Sequence, residues 1–123
     1  MVRVFHCDDS FAYRRLIRGV LLLEEDIELV GEADSLDTLL AGLAETQPDV
    51  LLLDMVRGVT DADVATELLA AAPGLSLIVL SGHPPEAVDP RIRDLAAAYV
   101  TKSTAFGALA EAIRDAGIRT NVE

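Results

Sequence analysis

The sequence predicts an α/β domain built around a single doubly wound parallel sheet, and three observations carry that expectation. Short apolar runs alternate with segments of helical period, the βα alternation of such sheets. In Pro48-Asp49-Val50-Leu51-Leu52-Leu53-Asp54-Met55, four apolar residues run unbroken and then stop on an acid. That is the mark of a strand buried on both faces. Four of the apolar runs end in polar residues, and open parallel sheets keep their chemistry beyond the carboxyl ends of their strands.

A chain of 123 residues is large enough for a genuine core, and residues 1–123 are expected to form one domain. Hydrophobic residues make up 51% of it against 25% charged, a balance that argues against disorder. No apolar run approaches the roughly 18 residues of a membrane span. The N-terminus also lacks the basic-then-apolar layout of a signal peptide. One cysteine excludes an internal disulfide and suits a reducing compartment, so the expected location is cytoplasmic. The 21 acids against 10 bases give a formal charge of −11, which makes this domain alone a poor ligand for nucleic acid. Nine of the bases are arginines, and the single lysine is Lys102. A lone compact ammonium in an arginine-using chain marks that position, although one residue is also within chance.

Taken in order, Val2 to Cys7 is the first strand, ending at Asp8-Asp9-Ser10. Segment 11–24 has Ala12, Leu16, Val20 and Leu23 at helical spacing, with Asp9 or Ser10 as the natural cap. Ile27 to Ala33 alternates, Glu28 and Glu32 facing away from Ile27, Leu29 and Ala33, as suits an edge strand. Leu36, Leu39, Leu40 and Leu43 mark a second helix capped by Asp34 or Ser35. After the central strand, a third helix begins at Asp61 with Val64, Leu68 and Leu69 inward. Pro73-Gly74 stops it, and Leu75 to Leu80 is a fourth buried strand ending at Ser81-Gly82.

Prolines 84, 85 and 90 constrain the segment between this strand and the last one. A proline loses no hydrogen bond in a helix's first turn, but inside a helix it lacks the donor and pushes its predecessor out of helical angles. Asp89 as cap and Pro90 as first residue satisfy this. They leave a loop over His83 to Val88 and a fourth helix of about two turns, Pro90 to Ala97. Ala98 to Thr101 is a short last strand ending at Lys102. Phe106, Leu109, Ala110 and Ile113 give a final helix that stops near Gly117.

Asp8-Asp9, Asp54, Ser81 and Lys102 therefore stand at strand ends that point the same way in a parallel sheet. With the first and third strands adjacent, three carboxylates converge beside a hydroxyl and an ammonium. Such carboxylates repel and shift toward protonation unless a cation lies among them. Oxygen ligands without an imidazole or thiolate select a hard ion, Mg²⁺ above all. A phosphoryl group on one carboxylate would offset the metal and Lys102 together, and its three oxygens would suit a metal, a lysine and a hydroxyl. Singly, each feature has a plain reading: an Asp pair caps helices, Asp54 can be a turn residue, Ser81 before Gly82 is turn chemistry, and Lys102 can be a solvated strand end. Their order at four strand ends favours the joint reading. His6 and Cys7 lie within the first strand, where one should face the core, and neither His6 nor His83 has the paired spacing of a zinc site.

These residues resemble the receiver domain of two-component response regulators over residues 2–117. The match rests on Asp8-Asp9 after the first strand, Asp54 after Leu51-Leu52-Leu53, Ser81 after the fourth strand and Lys102 after the fifth. Tyr99, three residues before Lys102, matches the family's switch aromatic. The run Asp26-Ile27-Glu28-Leu29-Val30-Gly31-Glu32-Ala33 and the pair Lys102-Ser103 are similar to the NarL-type subfamily.

The resemblance implies a flavodoxin-like (βα)5 fold with strand order 2-1-3-4-5. Asp54 would be the phosphoacceptor, and Asp8, Asp9, Asp54 and the backbone carbonyl of Val56 would hold Mg²⁺. Lys102 would pair with the phosphoryl group, Ser81 would move to hydrogen-bond it, and Tyr99 would turn inward. The donor would be a phosphohistidine on a sensor histidine kinase or phosphotransfer protein. The domain would be no enzyme beyond slow self-dephosphorylation, with no membrane partner and room for a homodimer.

Arg57-Gly58-Val59 stands where the family often has Met-Pro-Gly, Ala62 where it has Gly, Leu95 in place of a Gly-Ala step, and Ser103 in place of Pro. These departures touch loop shape and output rather than reactive groups. Two rivals are a pseudo-receiver that binds partners without phosphorylation and an aspartyl-phosphate phosphatase. The phosphatase needs a second acid two residues after the nucleophile, and Val56 stands there.

Overall fold

The computed structural model describes residues 1–54, 62–82, 89–103 and 105–121, with side chains through Ile118. The elements run β1 (Val2–Cys7), α1 (Phe11–Leu22), β2 (Ile27–Ala33), α2 (Leu36–Thr46), β3 (Val50–Asp54), α3 (Ala62–Ala71), β4 (Ser76–Ser81), α4 (Pro90–Leu95), β5 (Ala98–Thr101) and α5 (Phe106–Asn121). The five strands form one sheet in the order β2-β1-β3-β4-β5, every neighbouring pair parallel. This is the expected doubly wound topology. It puts the carboxyl ends of β1 and β3 side by side. The expected helix start at Asp61, the loop His83 to Val88 and the Val56 carbonyl lie outside the described residues.

Each face of the sheet has its own core. Phe5, Cys7, Leu51, Leu53, Leu77 and Val79 point to α2, α3 and α4, meeting Leu39, Leu68 and Ile92. Val4, Leu52, Ile78 and Leu80 point to α1 and α5, meeting Ile17, Leu21, Leu109 and Ile113. Every residue of β3 is buried, which is why that strand reads as a continuous apolar run.

Four sequence expectations need correction. The buried stripe of α1 is Ile17 and Leu21, flanked by Tyr13, while Leu16 is about half exposed and Leu23 is 82% exposed. The helix carries apolar residues around most of its circumference, so spacing alone does not fix its rotation. In β2, the register with β1 shifts between Val4 and Phe5, Val4 pairing with Leu29 but Phe5 with Gly31. The extra residue turns Glu32 to the same face as Ile27 and Leu29, where Arg18 of α1 binds it. A ring of Phe5 lies where a Cβ on Gly31 would be, at 2.6 Å.

Helix α4 starts as expected, Asp89 accepting from the Arg91 N–H at 2.9 Å and Pro90 opening the helix. It ends at Leu95 because Ala96 adopts an extended backbone. Helix α5 does not stop near Gly117. It runs to Asn121, and Gly117 is there because a Cβ would meet Val2 Cγ2 at 2.6 Å. The glycine marks close packing of helix on strand rather than a terminus.

Candidate functional site

The site grows from how β1 hands over to α1. Asp8 is fully buried. Its N–H donates to the Ala33 carbonyl at 3.0 Å, and its Oδ1 accepts the Ser10 N–H at 2.8 Å. Ser10 is the α1 cap, its Oγ accepting the Tyr13 N–H at 3.2 Å. Arg14 Nη1 donates to the Asp8 carbonyl at 2.6 Å. These bonds leave Asp8 Oδ2 pointing toward β3 and β5, where Lys102 Nζ meets it at 3.0 Å.

Asp54 ends β3 at 7% exposure, and Lys102 Nζ lies 3.0 Å from its Oδ1. The ammonium thus bridges two carboxylates. Lys102 gets there because its N–H donates to the Ser81 carbonyl at 2.7 Å, extending the β4–β5 pairing by one step. Asp9 is exposed, and one carboxylate oxygen from each of Asp8, Asp9 and Asp54 lies within 4.8 Å of the other two.

Burial raises the Asp54 carboxyl above the usual carboxylate range, with the nearby Asp8 charge adding to the rise and Lys102 opposing it. Desolvation works against the Lys102 ammonium, yet Asp54 and Asp8 raise it overall. Even with the ammonium in place, the pocket is short of positive charge. Its donors are carboxylate oxygens, so the residues present fit a hard divalent cation.

Ser81 is buried at the end of β4, one residue past Leu80, the partner of Asp54. Tyr99 pairs with Val79 and packs half-buried against the core beneath α3 and α4. Alternation along β4 puts Ser81 on that same face, opposite the one covered by α1 and α5. Asp8, Asp9, Asp54 and Lys102 are therefore brought together, with Ser81 adjoining through its backbone and Tyr99 on the far face.

Cys7 lies among apolar neighbours, and burial pushes its thiol up to about 12, which leaves it inert. His6 is fully buried on the α1 face, with burial pushing it down to about 4. Two site neighbours, Tyr13 and Arg14, were not apparent from the sequence. They lie in the first turn of α1, and the only available signal was their spacing from the Ser10 cap.

No protein-family model matches the chain. Among curated proteins, it is 31% identical over 119 residues to the DNA-binding transcriptional activator DevR/DosR of Mycobacterium tuberculosis, covering 95% of this chain and 55% of that protein. It is 38% identical over 109 residues to protein-glutamate methylesterase/protein-glutamine glutaminase 5 of Myxococcus xanthus, covering 85% of this chain but 31% of that enzyme. Among solved structures, the signal receiver domain of NarL from Mycobacterium tuberculosis superposes with a TM-score of 0.83 at 28% identity, covering 95% of this chain and 96% of that one.

A parallel sheet ordered 2-1-3-4-5, with acids after β1 and β3 and a lysine after β5, defines a flavodoxin-like receiver. The chain belongs to the receiver domains of two-component response regulators, in their NarL-type branch. It spans about half the length of regulators such as DevR/DosR. Among the described residues, no helix is long and apolar enough to cross a membrane.

Proposed function

We propose that the chain is a phosphoacceptor: Asp54 takes a phosphoryl group from a phosphohistidine on a sensor histidine kinase or phosphotransfer protein. The observation that supports this most is the seat of Asp54, buried at the end of the central strand with Lys102 Nζ at 3.0 Å and two further carboxylates beside it. An Asp54 oxygen attacks phosphorus, an O–P bond forms as the donor's P–N bond breaks, and the imidazole leaves with the electron pair. Lys102 then exchanges a carboxylate for a phosphoryl oxygen within the reach of its side chain. Ser81, one residue beyond Leu80, the strand partner of Asp54, would be the hydroxyl that moves to follow the new charge. Tyr99 shares its face of the sheet and would carry that shift to α4 and α5.

Asp8, Asp9 and Asp54, with the Val56 carbonyl, would hold Mg²⁺. Bound there, the ion would neutralise the transferring phosphoryl oxygens. The chain would act as one receiver domain in the cytoplasm, without turnover of its own beyond slow loss of the phosphoryl group. Its charge of −11 leaves DNA contact to other parts of a longer regulator. Pairing with a second copy is the further contact open to it.

Incubation with a small phosphodonor and Mg²⁺ should add one phosphoryl group by intact mass, and Asp54→Asn should abolish the addition. A wild-type chain that stays unmodified would contradict the proposal and favour a pseudo-receiver.

A further inference from the structure

Lys102 has a third neighbour that the phosphoacceptor reading leaves unused. Its Nζ stands 4.2 Å from the centroid of the Tyr13 ring, over the face. That is inside the roughly 6 Å at which a ring face attracts an ammonium. The ammonium therefore sits in a three-sided seat made by Asp8 Oδ2, Asp54 Oδ1 and the ring.

The ring itself is held. Its backbone N–H is tied to the Ser10 cap, and the buried His6 ring meets it in an edge contact, centroids 6.1 Å apart and planes at 61°. Neither nitrogen of that imidazole has a hydrogen-bond partner among the described residues, its Nε2 standing 3.8 Å from Asp8 Oδ2, and its contact with Tyr13 is ring against ring.

We propose that Tyr13 is a positioning residue for Lys102: its ring holds the ammonium between Asp8 and Asp54 and so sets how readily a divalent cation enters. This rests on the Mg²⁺ reading above. Asp8 Oδ2 and Asp54 Oδ1 are the atoms the ammonium occupies, and two cations on the same oxygens repel. A divalent ion held by these acids would draw the ammonium away from Asp8, and that would disturb its contact with the ring. A contact made more strongly in the metal-free arrangement weakens metal binding by its own factor.

Two measurements test this, and they fail separately. Lys102 is the only lysine of the chain, so lysine labelled with ¹³C at Cε gives a single side-chain signal. In metal-free wild type, the Lys102 ε-methylene protons should lie upfield of an ordinary lysine because of the ring current. Mg²⁺ should move them downfield. An ordinary shift in the metal-free protein would overturn the seat, whatever the metal does.

In Mg²⁺ titrations, Tyr13→Leu should tighten binding about tenfold, the scale of a partly desolvated cation–π contact. Tyr13→Phe keeps the ring face and should stay within about threefold of wild type. In a Lys102→Met background, Tyr13→Leu should change nothing. Unchanged or weaker Mg²⁺ binding in Tyr13→Leu, or an effect that survives loss of Lys102, would overturn the positioning role. If no variant binds Mg²⁺, the metal reading and the competition fall together, and the ring-current shift alone decides the seat.

Discussion

Replacing Lys102 with methionine removes the ammonium while keeping most of its apolar stem. Asp8 is fully buried and Asp54 is 7% exposed, so both lose a cation at 3.0 Å with little water to replace it. At an effective dielectric of about 20, each contact at that distance carries about 5 kcal/mol of gross attraction. Most of this is offset, because the ammonium is rehydrated on unfolding. Breaking a buried pair costs about 3–5 kcal/mol net, and the 26% exposure of the Lys102 side chain places the loss near 3. That is a large share of the roughly 5–15 kcal/mol available to a domain. It corresponds to a fall of about 10 °C in Tm.

Thermal melts at neutral pH in chelator-treated buffer, repeated in millimolar Mg²⁺, read this directly. Mg²⁺ should raise the Tm of Lys102→Met more than that of wild type, because the variant offers the same acids without a competing ammonium. A metal-free Tm within about 2 °C of wild type would refute the estimate. A smaller Mg²⁺ response in the variant than in wild type would refute the shared seat.

His6 titrates at about 4 in the folded chain against 6.5 in the unfolded one, so its contribution is intact above pH 6.5 and is lost as pH falls through 4. The loss should approach about 3 kcal/mol, and His6→Leu should flatten that part of the pH–stability curve in urea melts relative to wild type. An identical slope in the variant would show that other groups cause it. Gly117→Ala gains helix propensity but drives a methyl onto Val2 at 2.6 Å. Overpacking should win, with a net loss of about 1 kcal/mol, and a variant as stable as wild type would show that Val2 yields.

The sheet was legible because burial on both faces writes its strands as unbroken apolar runs, β3 most plainly. The charged cluster was legible because Asp8, Asp54 and Lys102 each stand at the carboxyl end of a strand, and parallel topology collects strand ends at one edge. The start of α4 was legible because Pro90 tolerates few backbone settings. Where spacing misled, a second influence competed with it. Helix α1 offers more than one apolar stripe, and packing onto β1 and β2 selects Ile17 and Leu21. The face of Glu32 depends on a register shift against β1 that alternation within β2 does not reveal. Gly117 resembles a helix end by composition, whereas its role depends on Val2 at the other end of the chain. Tyr13 escaped notice for the same reason: nothing near it in sequence announces Lys102.

The proposed acceptance of a phosphoryl group by Asp54 is decided by trapping the acyl phosphate. After treatment with a small phosphodonor and Mg²⁺, borohydride reduction converts a phosphorylated aspartate to homoserine, which peptide mass spectrometry locates to the residue. Homoserine is expected at position 54, and none there without the donor. Homoserine at Asp8 or Asp9, or none anywhere, would contradict it.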